Sequence, residues 1–127
     1  MTRRPPRPPP GAVTAAPDQS VGLTVRTRPS ALGTVLSLHG ELDLDTVAVL
    51  REALDRAPAT PGTVLLVDCG DLAFCDSTGL SALLDAAVGA RERKTRIELA
   101  RLRPIVRRVL ELTGAIDAFT LRESLPP

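Results

Sequence analysis

The stretch of this chain best furnished for chemistry is Asp68-Cys69-Gly70-Asp71-Leu72-Ala73-Phe74-Cys75-Asp76-Ser77-Thr78-Gly79-Leu80. The apolar run Val64-Leu65-Leu66-Val67 before it reads as a central strand covered on both faces, and residues 69–76 read as a loop. Beyond it, Leu80, Leu83, Leu84, Ala87 and Val88 recur at helical spacing. Ser77 therefore caps a helix, where its hydroxyl can accept a hydrogen bond from a first-turn N–H, worth about 1 kcal/mol. The same place suits a phosphate, because unpaired N–H groups and the positive end of the helix dipole tolerate an anion. Gly79 leaves room for a close partner. Asp76 can orient the Ser77 hydroxyl or repel a phosphate attached to it. Spacing alone leaves both readings of Ser77 open, a plain cap and a site phosphorylated by a partner.

Other chemistries fit less well. A serine hydrolase needs a general base, but His39 is the only histidine, and no G-x-S-x-G elbow surrounds Ser77. The run Asp76-Ser77-Thr78-Gly79 superficially matches the Asp-Ser/Thr-Gly of aspartic proteases. The extra residue before Gly79 and the helical stripe after it spoil that match. A phospho-aspartate receiver would use Asp68 at the end of a central strand, yet no acidic pair follows the first strand and Lys94 precedes its strand. Cys69 and Cys75 are too few for a disulfide scaffold and are expected reduced. With one histidine they do not make a zinc site. These patterns supply no metal site and no catalytic residue.

The elements that position Ser77 follow from periodicity. Leu23, Val25 and Thr27 alternate as a half-buried strand, Ala31-Leu32-Gly33 turns, and Thr34–His39 is a second strand ended by Gly40. Glu41–Asp45 is a loop, and Asp45 or Thr46 can cap a first helix whose Val47, Leu50, Leu54 and Ala57 share a face. Pro58–Gly62 breaks it. After the Ser77 helix, whose exposed end is Arg91–Lys94, Ile97 and Leu99 make another strand. Pro104 opens a third helix, with Ile105, Val106, Val109 and Leu110 facing inward and Gly114 as its C-cap. Ala118–Leu121 adds a last short extended piece. The order β-β-α-β-α-β-α, with a terminal strand, predicts an α/β fold, a mixed sheet covered by helices.

Composition sets the boundaries. The 127 residues make one small domain with an aliphatic core, since there are two Phe, no Tyr and no Trp. Single-stranded nucleic acid thus finds no stacking platform, and a net charge of +1 gives no bulk attraction to DNA or to an acidic membrane. No apolar run reaches the roughly 20 residues that span a bilayer, and no signal peptide follows Arg3, Arg4 and Arg7. A cytoplasmic monomer with no direct nucleic-acid or membrane partner is expected. Residues 1–20 are expected to form a disordered Pro/Arg-rich tail, with the folded domain over 21–127. Pro5-Pro6-Arg7-Pro8 fits a PxxP ligand only as patterns in such tails commonly do.

Phe74-Cys75-Asp76-Ser77-Thr78-Gly79-Leu80, after a strand and the Asp71-Leu72 pair, resembles the phosphorylation-site signature of the STAS domain, the anti-anti-sigma factor family of bacteria. Gly40-Glu41-Leu42-Asp43 with Thr46 resembles that family's loop between the second strand and the first helix. The resemblance covers residues 21 to 121. It implies a STAS fold and an anti-sigma factor antagonist without catalytic machinery or cofactor. It further implies that the unphosphorylated form binds an anti-sigma factor serine kinase and releases a sigma factor. Phosphorylation of Ser77 ends that binding, and a metal-dependent serine phosphatase resets it. Asp76, Thr78 and Gly79 would shape the site, and Asp43 would lie beside the kinase. Cys75 departs from the family's usual aliphatic residue, which implies slightly looser packing there. A STAS scaffold or sensor subunit outside sigma control is the alternative that the resemblance leaves.

Overall fold

The structure, a computed structural model, describes residues 18–127. Strand β1 (Asp18–Ser20) pairs antiparallel with β2 (Leu23–Ser30), which pairs antiparallel with β3 (Gly33–Leu42). Then come α1 (Val47–Arg56), β4 (Val64–Cys75), α2 (Ser77–Glu92), β5 (Arg96–Ala100), α3 (Pro104–Thr113), a 3-10 turn (Ala115–Ala118) and β6 (Thr120–Arg122). The strands lie side by side in chain order, and β3 to β6 are parallel. The order expected from periodicity is therefore present, with β1 in addition. Asp18–Ser20 belong to the sheet rather than to a tail, and the rest of the expected tail lies outside the described residues.

All three helices pack on one face of the sheet. Leu50 and Leu54 of α1, Leu80 and Leu83 of α2, and Val106 and Leu110 of α3 join Leu36, Val67 and Leu99 of the strands in one cluster. Each such aliphatic side chain contributes roughly 1.5–3 kcal/mol by leaving water. The other face is mostly polar. Its small apolar patch of Val35, Leu66 and Ala100 is covered by Leu125. Beside that patch Asp68 is buried against Arg101, and Glu98 is buried between Arg96 and Arg122.

Two inward assignments from helical spacing are corrected. Ile105 and Val88 are 53% and 59% exposed. On α3 the pair Val106 and Leu110 faces the sheet, which turns Ile105 outward. On α2 the inward stripe runs through Gly79, Leu80, Ala82, Leu83 and Ala90, which leaves Val88 outward. The other ends fall as expected. Pro104 opens α3 and Gly114, at φ 77°, closes it in the left-handed conformation that favours glycine.

Candidate functional site

Strands β3 and β4 run on past the points where the sequence suggested loops. Leu42 pairs with Cys75, and the Asp76 N–H donates to the Leu42 carbonyl at 3.1 Å. The reason is tertiary. Buried Leu42, Leu72 and Cys75 continue the inward face of the sheet, while register shifts at Ser37/His39 and Gly40/Glu41 re-aim the strand end. Gly40 has φ 117° and lies against the Gly22 backbone, whose carbonyl accepts from the Glu41 N–H at 2.8 Å. A side chain at Gly40 would strike that carbonyl. The loops after β3 and β4 are thus bonded side by side at the carboxyl ends of adjacent parallel strands.

The helix cap is Asp76, not Ser77. One carboxylate oxygen, Oδ1, accepts from the N–H groups of Thr78 at 2.9 Å and Gly79 at 3.0 Å. Ser77 is the first residue of α2. Its side chain is exposed, and its hydroxyl has no hydrogen-bond partner among the described residues. The Asp76 carboxylate therefore holds the first turn rather than the serine hydroxyl. Thr78 is half-buried in the same turn.

Gly79 is corrected as well. It is buried, and the space above it belongs to this chain, not to an outside partner. A β-carbon there would meet Leu42 Cδ2 at 2.7 Å and the Cys75 Sγ at 3.2 Å. The glycine lets the start of α2 sit directly on the ends of β3 and β4. Cys75 is 2% exposed, and its thiol donates to the Asp76 carbonyl at 3.5 Å. Burial and the nearby Asp76 charge push that thiol up to about 11. Burial, with the Asp68 charge, pushes the Cys69 thiol up to about 12. Both are held as inert thiols at neutral pH.

Asp43 is half-buried and organises its own loop. Its Oδ1 accepts from the N–H groups of Asp45 at 3.0 Å and Thr46 at 3.2 Å. Thr46 occupies the cap position of α1 but makes no side-chain cap bond. Its buried hydroxyl instead donates to the Glu41 carbonyl at 2.9 Å and accepts from the Asp43 N–H at 2.9 Å. Leu44 is consequently held at the loop tip, 73% exposed, and Phe74 is 40% exposed where β4 ends. Leu44 is not singled out by the sequence reading, and Phe74 enters it only as part of the motif around Ser77. For Leu44 the signal was an apolar residue flanked by two aspartates.

The charge of this end is one-sided. Residues 40–46 and 70–79 carry Glu41, Asp43, Asp45, Asp71 and Asp76 and no lysine or arginine. Among the described residues no cluster of His, Cys, Asp and Glu could hold a metal ion, and no helix is long and apolar enough to cross a membrane.

A family model described as "Mlab, STAS domain" matches residues 24–123, and the chain belongs to the STAS domain family. It is 32% identical over 111 residues to the anti-sigma-F factor antagonist RsfB of Mycobacterium tuberculosis, covering 87% of this chain and 88% of that one. It is 31% identical over 83 residues to the anti-sigma-B factor antagonist of Listeria monocytogenes, covering 65% of this chain and 73% of that one. The crystal structure of an anti-sigma factor antagonist from Mycobacterium paratuberculosis superposes with a TM-score of 0.65 at 27% identity, covering 87% and 92% of the two chains. The Bacillus cell fate determinant SpoIIAA in its phosphorylated form shares the fold, with a TM-score of 0.60 at 20% identity over 79% and 91% of the two chains. These relatives are named for a regulatory rather than an enzymatic role.

Proposed function

We propose that this chain is an anti-sigma factor antagonist switched by phosphorylation of Ser77. In its unphosphorylated form it binds an anti-sigma factor kinase, which then releases its sigma factor. The observation that carries this reading is the exposed, unpartnered Ser77 hydroxyl on the first residue of α2, beside the acidic β3–α1 loop. The names of its relatives support the antagonist role, and the motif around Ser77 supports the serine. In the transfer, Ser77 Oγ bonds to the γ-phosphorus of ATP, ADP departs, and the hydroxyl proton passes to a base of the kinase. A serine phosphatase later hydrolyses the ester.

The partner face is complementary in charge. Asp71 already has Arg101 nearby, and Glu41, Asp43, Asp45 and Asp76 call for Lys or Arg on the kinase, with apolar recesses for Leu44 and Phe74. Incubation with the anti-sigma factor kinase of the same genome and ATP, followed by mass spectrometric mapping, tests the proposal. The expected product carries one phosphate on Ser77. Phosphate on Thr78 alone, or on Asp68, overturns it.

A further inference from the structure

At the opposite end from Ser77 lies a cavity of about 180 Å³ between the last turns of α1 and α2. Its floor is Leu54 of α1 with Leu65 and Ile97 at the starts of β4 and β5, and α2 contributes only Ala86, Gly89 and other small residues there. At the rim, Arg51 and Asp85 are paired with each other at 3.2 Å. Asp55 and Arg93 also line the opening, and neither side chain has a partner among the described residues. The Arg93 guanidinium is folded back over Gly89, with Nη2 3.6 Å from where a β-carbon would stand.

An apolar floor with one uncommitted cation and one uncommitted anion at its mouth is complementary to a small amphipathic zwitterion. We propose that this cavity binds an aliphatic α-amino acid of about leucine size. Its side chain fills the floor, its carboxylate meets Arg93 in the forked geometry guanidinium favours, and its ammonium meets Asp55. About 180 Å³ suits a branched side chain and its α-carbon, with the charged groups at the rim. The site leaves Ser77 open, so the inference does not depend on the partner switch.

The test is a two-dimensional ¹H–¹⁵N titration of the full chain with L-leucine, run in parallel with 4-methylpentanoate and 3-methylbutylamine, which lack the ammonium and the carboxylate respectively. Leucine should give saturable shifts at Leu54, Gly89, Ala90 and Arg93, with a dissociation constant on the order of 1 mM or below for so small a ligand. Each single-charge analogue should bind about tenfold more weakly or worse, as should leucine to Arg93→Gln. Ala86→Leu should abolish binding by filling the cavity, its fold being checked by circular dichroism. Should that variant not fold, the exposed Arg93→Gln carries the test. Absence of saturable shifts up to about 20 mM leucine, equal binding of either analogue, or undiminished binding to folded Ala86→Leu or to Arg93→Gln overturns the proposal.

Discussion

Leu42 occupies the space that a side chain on Gly79 would need. The β3 leucine lies directly over the first turn of α2, with Cδ2 2.7 Å from where a β-carbon on Gly79 would stand. This contact sets how closely the Ser77-bearing helix approaches the sheet.

Gly79→Ala should therefore destabilise the domain. In an open helix the change would gain about 1 kcal/mol from propensity. Here the added methyl meets a buried leucine and a buried thiol, and overpacking of that kind costs typically 1–3 kcal/mol. For a domain of this size each kcal/mol lowers the melting temperature by roughly 4–8 °C. A thermal melt that rises, rather than falls, would show that Leu42 moves aside freely.

Asp43 has two separable roles. Its carboxylate fixes the turn before α1 through Asp45 and Thr46, and its charge contributes to the acidic face. Asp43→Ala should cost about 1 kcal/mol, as loss of a side-chain cap does, and should weaken kinase binding. Asp43→Asn keeps an acceptor oxygen, so it should recover most of the stability while leaving binding weakened. Binding restored to the wild-type level by Asn would mean that only the turn matters.

Asp68 supplies an acid-sensitive clasp on the other face of the sheet. Burial opposes its ionisation. The Arg101 hydrogen bonds at 2.9 and 2.8 Å, the Gly70 N–H at 3.0 Å and the Ser37 hydroxyl at 3.3 Å outweigh that, and hold its carboxyl below the ordinary value of 3.8. A carboxyl lowered by folding adds stability in full well above its unfolded value and loses it as pH falls through the lowered one. Chemical denaturation should thus show stability flat near neutrality and falling below about pH 4. Asp68→Asn should be less stable at pH 7 and show a shallower acid decline. The wild-type slope persisting in that variant would assign the acid loss to other carboxylates.

Much of this architecture was legible because aliphatic periodicity is strong in so aromatic-poor a chain. Val64–Val67, the Leu80 stripe and the Pro104–Gly114 helix each announce themselves locally. What failed was decided at a distance or among equals. Asp76, Ser77 and Thr78 are all capping types in a row, so spacing could not say which carboxylate or hydroxyl takes the first-turn amides. The strand through Cys69–Cys75 looked like a loop because Gly70 and Asp71 interrupt it, and only pairing with β3 extends it. Gly79 looked like room for a partner because its occupant, Leu42, comes from another strand. Ile105 fits the helical period of α3 yet lies outward, since periodicity gives a stripe and the sheet selects its centre.

The cap geometry also decides where a phosphate on Ser77 would go. Asp76 already holds the Thr78 and Gly79 amides, so the helix end has little left with which to neutralise it. A phosphoserine carries about −1.5 to −2 charges at neutral pH. It would add them to an end that already bears five carboxylates. A unit charge about 5 Å from Asp76 feels roughly 3 kcal/mol at an effective dielectric near 20, and solvent exposure lowers this. The cap bonds themselves are untouched, so the fold should persist while a partner fitted to a neutral hydroxyl is displaced by charge and bulk. Ser77→Asp should bind the kinase at least about tenfold more weakly than Ser77→Ala, since tenfold needs only 1.4 kcal/mol. Both variants should keep the wild-type circular dichroism spectrum and melt within about 1 kcal/mol of wild type, as surface changes do. Equal affinity of the two for the kinase would refute an electrostatic switch at this residue, and loss of structure in Ser77→Asp would mean that charge acts by opening the first turn of α2.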